Sequence, residues 1–133
     1  MKNAWLPWFL ALVVLTACEK EEEQTAYDKI NGTWNISSTS LLGANFPGNG
    51  SSLTFQSCTS GPCSGTDYNA SDTTTGAFSY IFSENDKVLT ITDTLAEGGN
   101  YNYQWDLLRF TDTRIRMTAE TLFGNLTVEM SKN

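Results

Sequence analysis

The cysteine thiols are the side chains of this sequence best suited to covalent chemistry. There are three of them, Cys18, Cys58 and Cys63. Disulfides join cysteines in pairs, so an odd number leaves one thiol without a partner inside the chain. Cys18 directly follows an apolar run, whereas Cys58 and Cys63 lie far downstream with four residues between them. The chemistry of these thiols therefore depends on the compartment that the chain reaches.

The absence of histidine removes most catalytic arrangements. The sequence contains no histidine, so it has no Ser-His-Asp or Cys-His site and no histidine-ligated zinc, iron or copper. It also lacks the GxxxxGK[ST] and GxGxxG patterns of phosphate cradles. Paired carboxylates are the remaining catalytic option, and no two of them stand together on an apolar background. We therefore expect no enzyme activity, no metal and no cofactor.

The first 17 residues have the pattern of a cleaved leader. Lys2 supplies a positive charge, an apolar run follows from Trp5 to Val14, and small residues close the segment at Thr16 and Ala17. The stretch from Ala4 to Ala17 is 14 residues long, whereas a membrane-spanning helix needs about 20 apolar residues. The pattern predicts a signal peptide over residues 1–17.

The end of this leader, Leu15-Thr16-Ala17-Cys18, resembles the lipobox of bacterial lipoproteins. That resemblance implies that the Cys18 thiol takes a diacylglycerol, that cleavage occurs before it, and that a fatty acid such as palmitate then acylates the new amino terminus. The membrane would thus be a partner through the lipid on Cys18. The alternative is an ordinary secretory signal that happens to end beside a cysteine.

An acidic segment separates Cys18 from the rest of the chain. Lys20 is followed by three consecutive glutamates, with no apolar side chain from Glu19 to Glu23, and like charges keep such a run extended. We interpret residues 18–29 as a tether. Lys20 with the glutamates resembles a signal that carries lipoproteins to the outer face of the outer membrane, which favours surface display over a periplasmic location. The alternative is a solubilising spacer.

Composition limits the partners of the mature chain. Removal of the leader leaves 116 residues, enough for one domain, with seven basic against 15 acidic residues and a net charge of −8. That charge argues against nucleic acid as a partner, and we expect a monomer. A leader that directs export places Cys58 and Cys63 in an oxidising compartment, where they should form a disulfide. Their spacing differs from that of a CxxC redox pair, so a catalytic dithiol is not expected.

Apolar and polar residues alternate with a period of two from Gly32 onward, which predicts β-strands. Residues 41–50 contain three glycines and a proline and are predicted to form a loop. In the predicted strand at residues 65–70, Tyr68 is the only apolar residue that could anchor the strand to the core. Regular short strands predict an all-β meandering antiparallel barrel or sandwich of seven to nine strands. The eight predicted strands lie at 32–36, 51–57, 65–70, 76–83, 88–92, 101–107, 114–117 and 125–130.

The motifs of this domain resemble a known family. Gly32-Thr33-Trp34 is similar to the Gly-x-Trp signature of lipocalins. The cysteine pair after Phe55, with Phe78-Ser79-Tyr80 and Leu89-Thr90-Ile91, resembles small lipocalin-like lipoproteins of Gram-negative bacteria. The resemblance covers residues 30–130 and implies a single eight-stranded up-and-down barrel in a domain of residues 30–133. It also implies that Trp34 plugs one end beneath an arginine of a late strand, with Arg109, Arg114 and Arg116 as candidates.

The inward-facing residues have two interpretations. One is a pocket for a small apolar ligand, with the 41–50 loop at its mouth; the other is a filled core, since an eight-stranded barrel is just wide enough for either. The residues concerned are Trp34, Phe55, Phe78, Tyr80, Tyr103, Trp105 and Met117.

Two functions follow from these interpretations. The first is a lipocalin-like lipoprotein that binds or carries a small apolar ligand. The second is a solid structural or inhibitory lipoprotein, similar to lipidated barrels that block lysozymes, which binds a macromolecule through its loops. Salt-sensitive binding of a basic protein would then use acidic residues, with Asp67, Asp72, Glu84 and Asp86 as candidates.

Overall fold

A computed structural model describes residues 25–93 and 101–132. The predicted signal peptide, Cys18 and the tether as far as residue 24 lie outside the described residues. The described elements are helix α1 (Ala26–Ile30) and strands β1 (Gly32–Leu41), β2 (Ala44–Pro47), β3 (Ser52–Phe55), β4 (Cys63–Asn69), β5 (Thr74–Ser83), β6 (Val88–Asp93), β7 (Gln104–Phe110), β8 (Arg114–Thr121) and β9 (Gly124–Lys132).

The strands form a closed antiparallel barrel. From β3 to β9 each strand pairs with its neighbours in chain order, and β1 pairs with both β3 and β9. Strand β2 is extra and pairs with the second half of β1. The predicted all-β fold, an eight-stranded up-and-down antiparallel barrel, is confirmed. The barrel is consistent with a lipocalin-like fold.

Side-chain alternation fills the interior. On β5, Phe78, Tyr80 and Phe82 are buried, whereas Ile81 and Ser83 between and beyond them are exposed. The inward rings contact one another edge to face, with 5.0 Å between the ring centroids of Phe55 and Tyr80, a geometry that aromatic pairs prefer. Packed side chains fill the interior in this part of the barrel, which agrees with the filled-core interpretation.

Helix α1 closes one end of the barrel. Thr25 caps it, since the Thr25 hydroxyl accepts a hydrogen bond from the Asp28 amide at 3.1 Å, which satisfies an amide that the first turn leaves unpaired. Ile30, at the other end of the helix, has no exposed surface. The predicted tether included residues 26–29, and the structure places them in this helix, packed against the barrel.

The carbonyls at the end of α1 are bonded to the two strands at the barrel seam. The Trp34 indole Nε1 donates to the Ile30 carbonyl oxygen at 2.7 Å. The Lys132 ammonium donates to the Lys29 carbonyl oxygen at 3.0 Å and lies 5.1 Å from the centroid of the Trp34 ring. Two of the helix's terminal carbonyls are thereby satisfied, and the contact of cation and ring adds to the attraction.

The expectation that an arginine covers Trp34 is wrong. Lys132 of β9 takes that position, because β9 pairs with β1 with Lys132 opposite Trp34. Arg109, Arg114 and Arg116 are all exposed on the outer wall. Arg114 and Arg116 lie in the outward phase of β8, and an extra residue in β7 turns Arg109 outward.

Two strand predictions are also wrong. The predicted 41–50 loop is largely a hairpin, because β1 continues to Leu41 and pairs with β2. Tyr68, the predicted inward anchor of the third strand, is 39% exposed. The opposite phase of β4 points inward, where Cys63 and Gly65 are buried. Cys63 is joined to Cys58, so the predicted disulfide is present.

We expect Lys132→Met to lower the free energy of unfolding by about 1–3 kcal/mol, since a hydrogen bond from a charged group and a cation–π contact are both lost. Methionine keeps most of the apolar stem, so lost packing contributes little. The matched control is Lys87→Met at an exposed lysine, which should change stability by less than about 0.5 kcal/mol. Urea denaturation followed by tryptophan fluorescence measures both. Equal stability of the two variants would contradict the role assigned to Lys132.

Candidate functional site

The candidate site lies at the end of the barrel opposite α1. Here β1 and β4 end, and a cleft of about 260 Å³ opens between them. Its apolar side is made by Ile36, Phe46 and Pro47, and its polar side by the end of β4 and by Tyr101. We call this the mouth cleft. The described residues that line it are Ile36, Thr39, Phe46, Pro47, Gly48, Asn49, Ser51, Asp67, Tyr68, Asn69, Ser71 and Tyr101.

A hydrogen-bond network builds one wall of the mouth cleft. The Asn49 Oδ1 oxygen accepts from the Ser51 hydroxyl at 2.7 Å and from the Ser51 amide at 3.1 Å. The Ser51 hydroxyl in turn accepts from the Ala70 amide at 3.0 Å, and the Asn49 side-chain amide donates to the Ser71 hydroxyl at 3.0 Å. These bonds tie the segment before β3 to the turn after β4. The wall is therefore held in place without a ligand.

Asp67 is the most unusual group in the mouth cleft. Its Oδ1 oxygen is buried and, among the described residues, has no hydrogen-bond partner. Gly76, its cross-strand partner on β5, makes room for the carboxylate, since a Cβ atom there would collide with Oδ1. A buried polar atom without a partner is costly, and native structures contain few. Asp67 also lines the cleft, so a negatively charged residue borders the space that a donor would enter.

Tyr101 supplies a neutral phenol beside this carboxylate. Burial, together with the smaller effect of the negative charge of Asp67, raises the pKa of Tyr101 to about 12. The phenol therefore stays protonated at neutral pH, able to donate or to accept a hydrogen bond. Its backbone carbonyl accepts from the Trp105 indole at 2.9 Å, which fixes this residue against the core.

The aromatic residues predicted to line a pocket are brought together, but as packed interior. Trp34, Phe55 and Trp105 have no exposed surface. Tyr103 is half-buried near the mouth, with its ring 5.7 Å from that of Trp105. None of them lines the mouth cleft. The other members of the predicted set, Phe78, Tyr80 and Met117, are buried.

Sequence reasoning placed Asp67 among surface charges and so missed its inward position. The error came from using Tyr68 to set the phase of β4. The signal that would have found it is Cys63: a disulfide cysteine beside the core indicates an inward position, and residues 65 and 67 share its face. The other cleft residues carry no comparable signal, since polar residues before and after strands are common everywhere in the chain.

The four acidic residues predicted to bind a basic partner do not form one surface. Asp67 points into the mouth cleft, and Asp72 is exposed in the β4–β5 turn at the same end. Glu84 and Asp86 lie in the β5–β6 turn at the opposite end. A hydrogen bond from the Thr74 hydroxyl lowers the pKa of Asp72. The Asp72 carboxylate therefore has a role within its own turn that requires no bound macromolecule.

Over 25–93 and 101–132, no group of three or more histidine, cysteine, aspartate or glutamate residues is arranged to hold a metal ion. Within the same ranges no helix has the length and apolar character needed to span a bilayer.

Comparisons with protein-family models, with curated proteins and with solved structures found no match to this chain. The class that the structure defines is therefore an eight-stranded antiparallel barrel, plugged by a short helix at one end and carrying a polar cleft at the other.

Alkaline pH should destabilise the fold partly through Tyr101. Its folded pKa lies above the ordinary value of 10.0, so the stabilisation is complete below pH 10 and is lost as the pH rises through 12. We expect Tyr101→Phe to weaken this decline between pH 10 and 12. Tyr68→Phe, at an exposed tyrosine of the same cleft, should leave it unchanged. Urea denaturation at each pH measures the slope, and identical slopes in the two variants would contradict the assignment.

Proposed function

We propose that this chain is a lipid-anchored outer-membrane protein, displayed at the cell surface, whose lipocalin-like barrel binds a small ligand and performs no catalysis. The observation that carries the proposal is a preformed cleft lined by Asp67, a carboxylate with one buried oxygen that has no partner among the described residues. Preformed clefts with a few polar groups among apolar ones are the usual form of ligand sites.

The residues that line the cleft favour one kind of ligand chemistry. Its volume of about 260 Å³ lies just below the range of about 300–1,000 Å³ usual for drug-sized ligands, so the ligand is small. Ile36, Phe46 and Pro47 favour an apolar body. The Asp67 carboxylate calls for a hydrogen-bond donor or a cationic group, and the Tyr101 phenol offers a second polar contact. A small amine or alcohol with an apolar portion meets all of these requirements.

Binding at the mouth also explains how a filled barrel can still take a ligand. The interior side chains leave no exposed surface at Trp34, Phe55 and Trp105, so a ligand among them would displace packed rings. The mouth cleft requires no such displacement. This position differs from the apolar pocket inside the barrel that was one of the two interpretations of the sequence, and the ligand it suits is more polar.

A second candidate function rests on the rim around the cleft. Four large apolar side chains are exposed there, in the β1–β2 turn, on β2 and in the β8–β9 turn, where contiguous apolar surface often marks an interaction site. A macromolecule bound at this rim would fit a structural or inhibitory role. The side chains are Leu42, Phe46, Leu122 and Phe123, which are 55–98% exposed.

Native mass spectrometry of the full chain, incubated with a small-molecule extract of its source cells, tests ligand binding. We expect an adduct on the wild-type chain that denaturation releases. Asp67→Asn should reduce the adduct at least tenfold, because a charge-assisted hydrogen bond is lost. The exposed carboxylate variant Asp72→Asn is the matched control and should retain it.

An adduct that persists on Asp67→Asn would contradict the assignment of Asp67. The absence of any adduct across extracts would contradict small-ligand binding and favour the macromolecular alternative.

Metabolic labelling with radioactive palmitate tests the anchor separately. We expect label on the wild-type chain and none on Cys18→Ser, because only a thiol at this position can take the lipid. The double variant Cys58→Ser, Cys63→Ser should still be labelled, because the two replaced cysteines form a disulfide in the folded domain. Label on the Cys18→Ser chain would contradict lipidation at that residue.

A further inference from the structure

The outer wall of the barrel brings together all three arginines of the chain. Arg109 on β7 and Arg114 and Arg116 on β8 line a shallow pocket of about 120 Å³. Ser37 of β1 and Ser131 and Glu129 of β9 complete its edges. The arginine pocket therefore spans four neighbouring strands and is separate from the mouth cleft, with which it shares no residue.

Two irregularities in strand pairing lie at the residues on either side of this pocket, Arg109 and Ser37. The β7–β8 register shifts between Leu107 and Arg109, which puts an extra residue in β7. Without that shift Arg109 would follow Trp105 and Leu107 on the inward face. The β1–β9 register likewise shifts between Ile36 and Ser38, at Ser37. Bulges re-aim side chains and are common beside functional sites, and here one stands at each side of the pocket.

Repulsion between neighbouring arginines destabilises this wall when no anion is bound. Arg109 and Arg116 lie directly opposite each other in the β7–β8 ladder, where like charges destabilise a sheet. Glu129 is the cross-strand neighbour of Arg116, but its Oε2 oxygen accepts a hydrogen bond from the Ser38 hydroxyl at 3.1 Å. In a strongly acidic chain, this wall is left with an excess of positive charge.

We propose that the arginine pocket binds a phosphoryl group. Guanidinium groups present a planar fork that matches phosphate oxygens in pairs. The three arginines and Glu129 give a net charge of +2, which attracts a phosphomonoester of about −1.5 to −2 at neutral pH and also a singly charged phosphodiester. The pocket's volume admits a single such group and not a drug-sized molecule. A bound phosphoryl group would offset the repulsion between Arg109 and Arg116.

The position of the pocket bears on the source of the phosphate. Arg114 begins β8 at the same end of the barrel as α1. If Cys18 carries the lipid, as proposed above, the eight residues from it to Ala26 allow this end to lie within roughly 30 Å of the membrane. A lipid headgroup could then supply the phosphoryl group, as could a free phosphomonoester. The pocket's chemistry is shared by both sources.

Arginine side-chain NMR tests the proposal directly. The chain has three arginines, so the Nε–Hε spectrum of the full chain in non-ionic detergent contains three signals, each assignable by a single Arg→Gln variant. We expect inorganic phosphate to shift them saturably at fixed ionic strength, and acetate to shift them far less. Arg109→Gln and Arg116→Gln should each weaken phosphate binding by roughly tenfold to a hundredfold. Lys87→Gln, which removes one positive charge elsewhere, should bind like the wild type.

Two further titrations distinguish the sources. Glycerol 3-phosphate represents a phosphomonoester, and glycerophosphoglycerol represents the headgroup of a phosphatidylglycerol. Saturable binding of the second with an affinity similar to that of phosphate supports the site and assigns it to a headgroup. Binding of the monoester alone supports the site and assigns it to a free phosphomonoester. Unshifted arginine signals, equal shifts with acetate, or equal weakening by Lys87→Gln would overturn the proposal. The readout is independent of the mouth cleft and of lipidation.

Discussion

The contact among Trp34, Lys132 and the end of helix α1 is the interaction on which the rest of the structure depends. Trp34 and Lys132 face each other across the β1–β9 pair that closes the barrel, and each donates a hydrogen bond to a carbonyl of the helix. One cluster therefore joins the first and last strands and holds the helix against the barrel end. Loss of either donor leaves a terminal carbonyl unsatisfied beside the core, where that is expensive.

Closure of this end and filling of the interior restrict where the protein can bind anything. Rings from β3 and β5 meet edge to face inside the barrel, with Phe55 in contact with Phe78 and Tyr80. Native interiors tolerate little extra volume, so recognition moves to the periphery. The mouth cleft and the arginine pocket are both peripheral, and they differ in charge: a buried carboxylate in one and three guanidinium groups in the other.

Departures from regular structure create both candidate sites. A glycine opposite Asp67 leaves space for the carboxylate, and Asn49 and Ser51 replace ladder hydrogen bonds with side-chain ones at the wall of the cleft. On the outer wall, the shift at Leu107–Arg109 turns an arginine outward. Regular alternation of inward and outward side chains stabilises the barrel. The polar groups of both candidate sites lie where that regular pattern is interrupted.

The sequence by itself determined the all-β class, the barrel, the inward face of most strands and the cysteine pair, because period-two alternation and local turn residues carry that information. It misplaced Tyr68 and Asp67, since a strand with one large apolar residue has no pattern from which to read its phase. Only the tertiary structure decided that Lys132 covers Trp34, that β2 forms, and that Arg109 joins the other arginines. Those outcomes depend on register between strands distant in sequence and on a bulge, and neither leaves a local pattern.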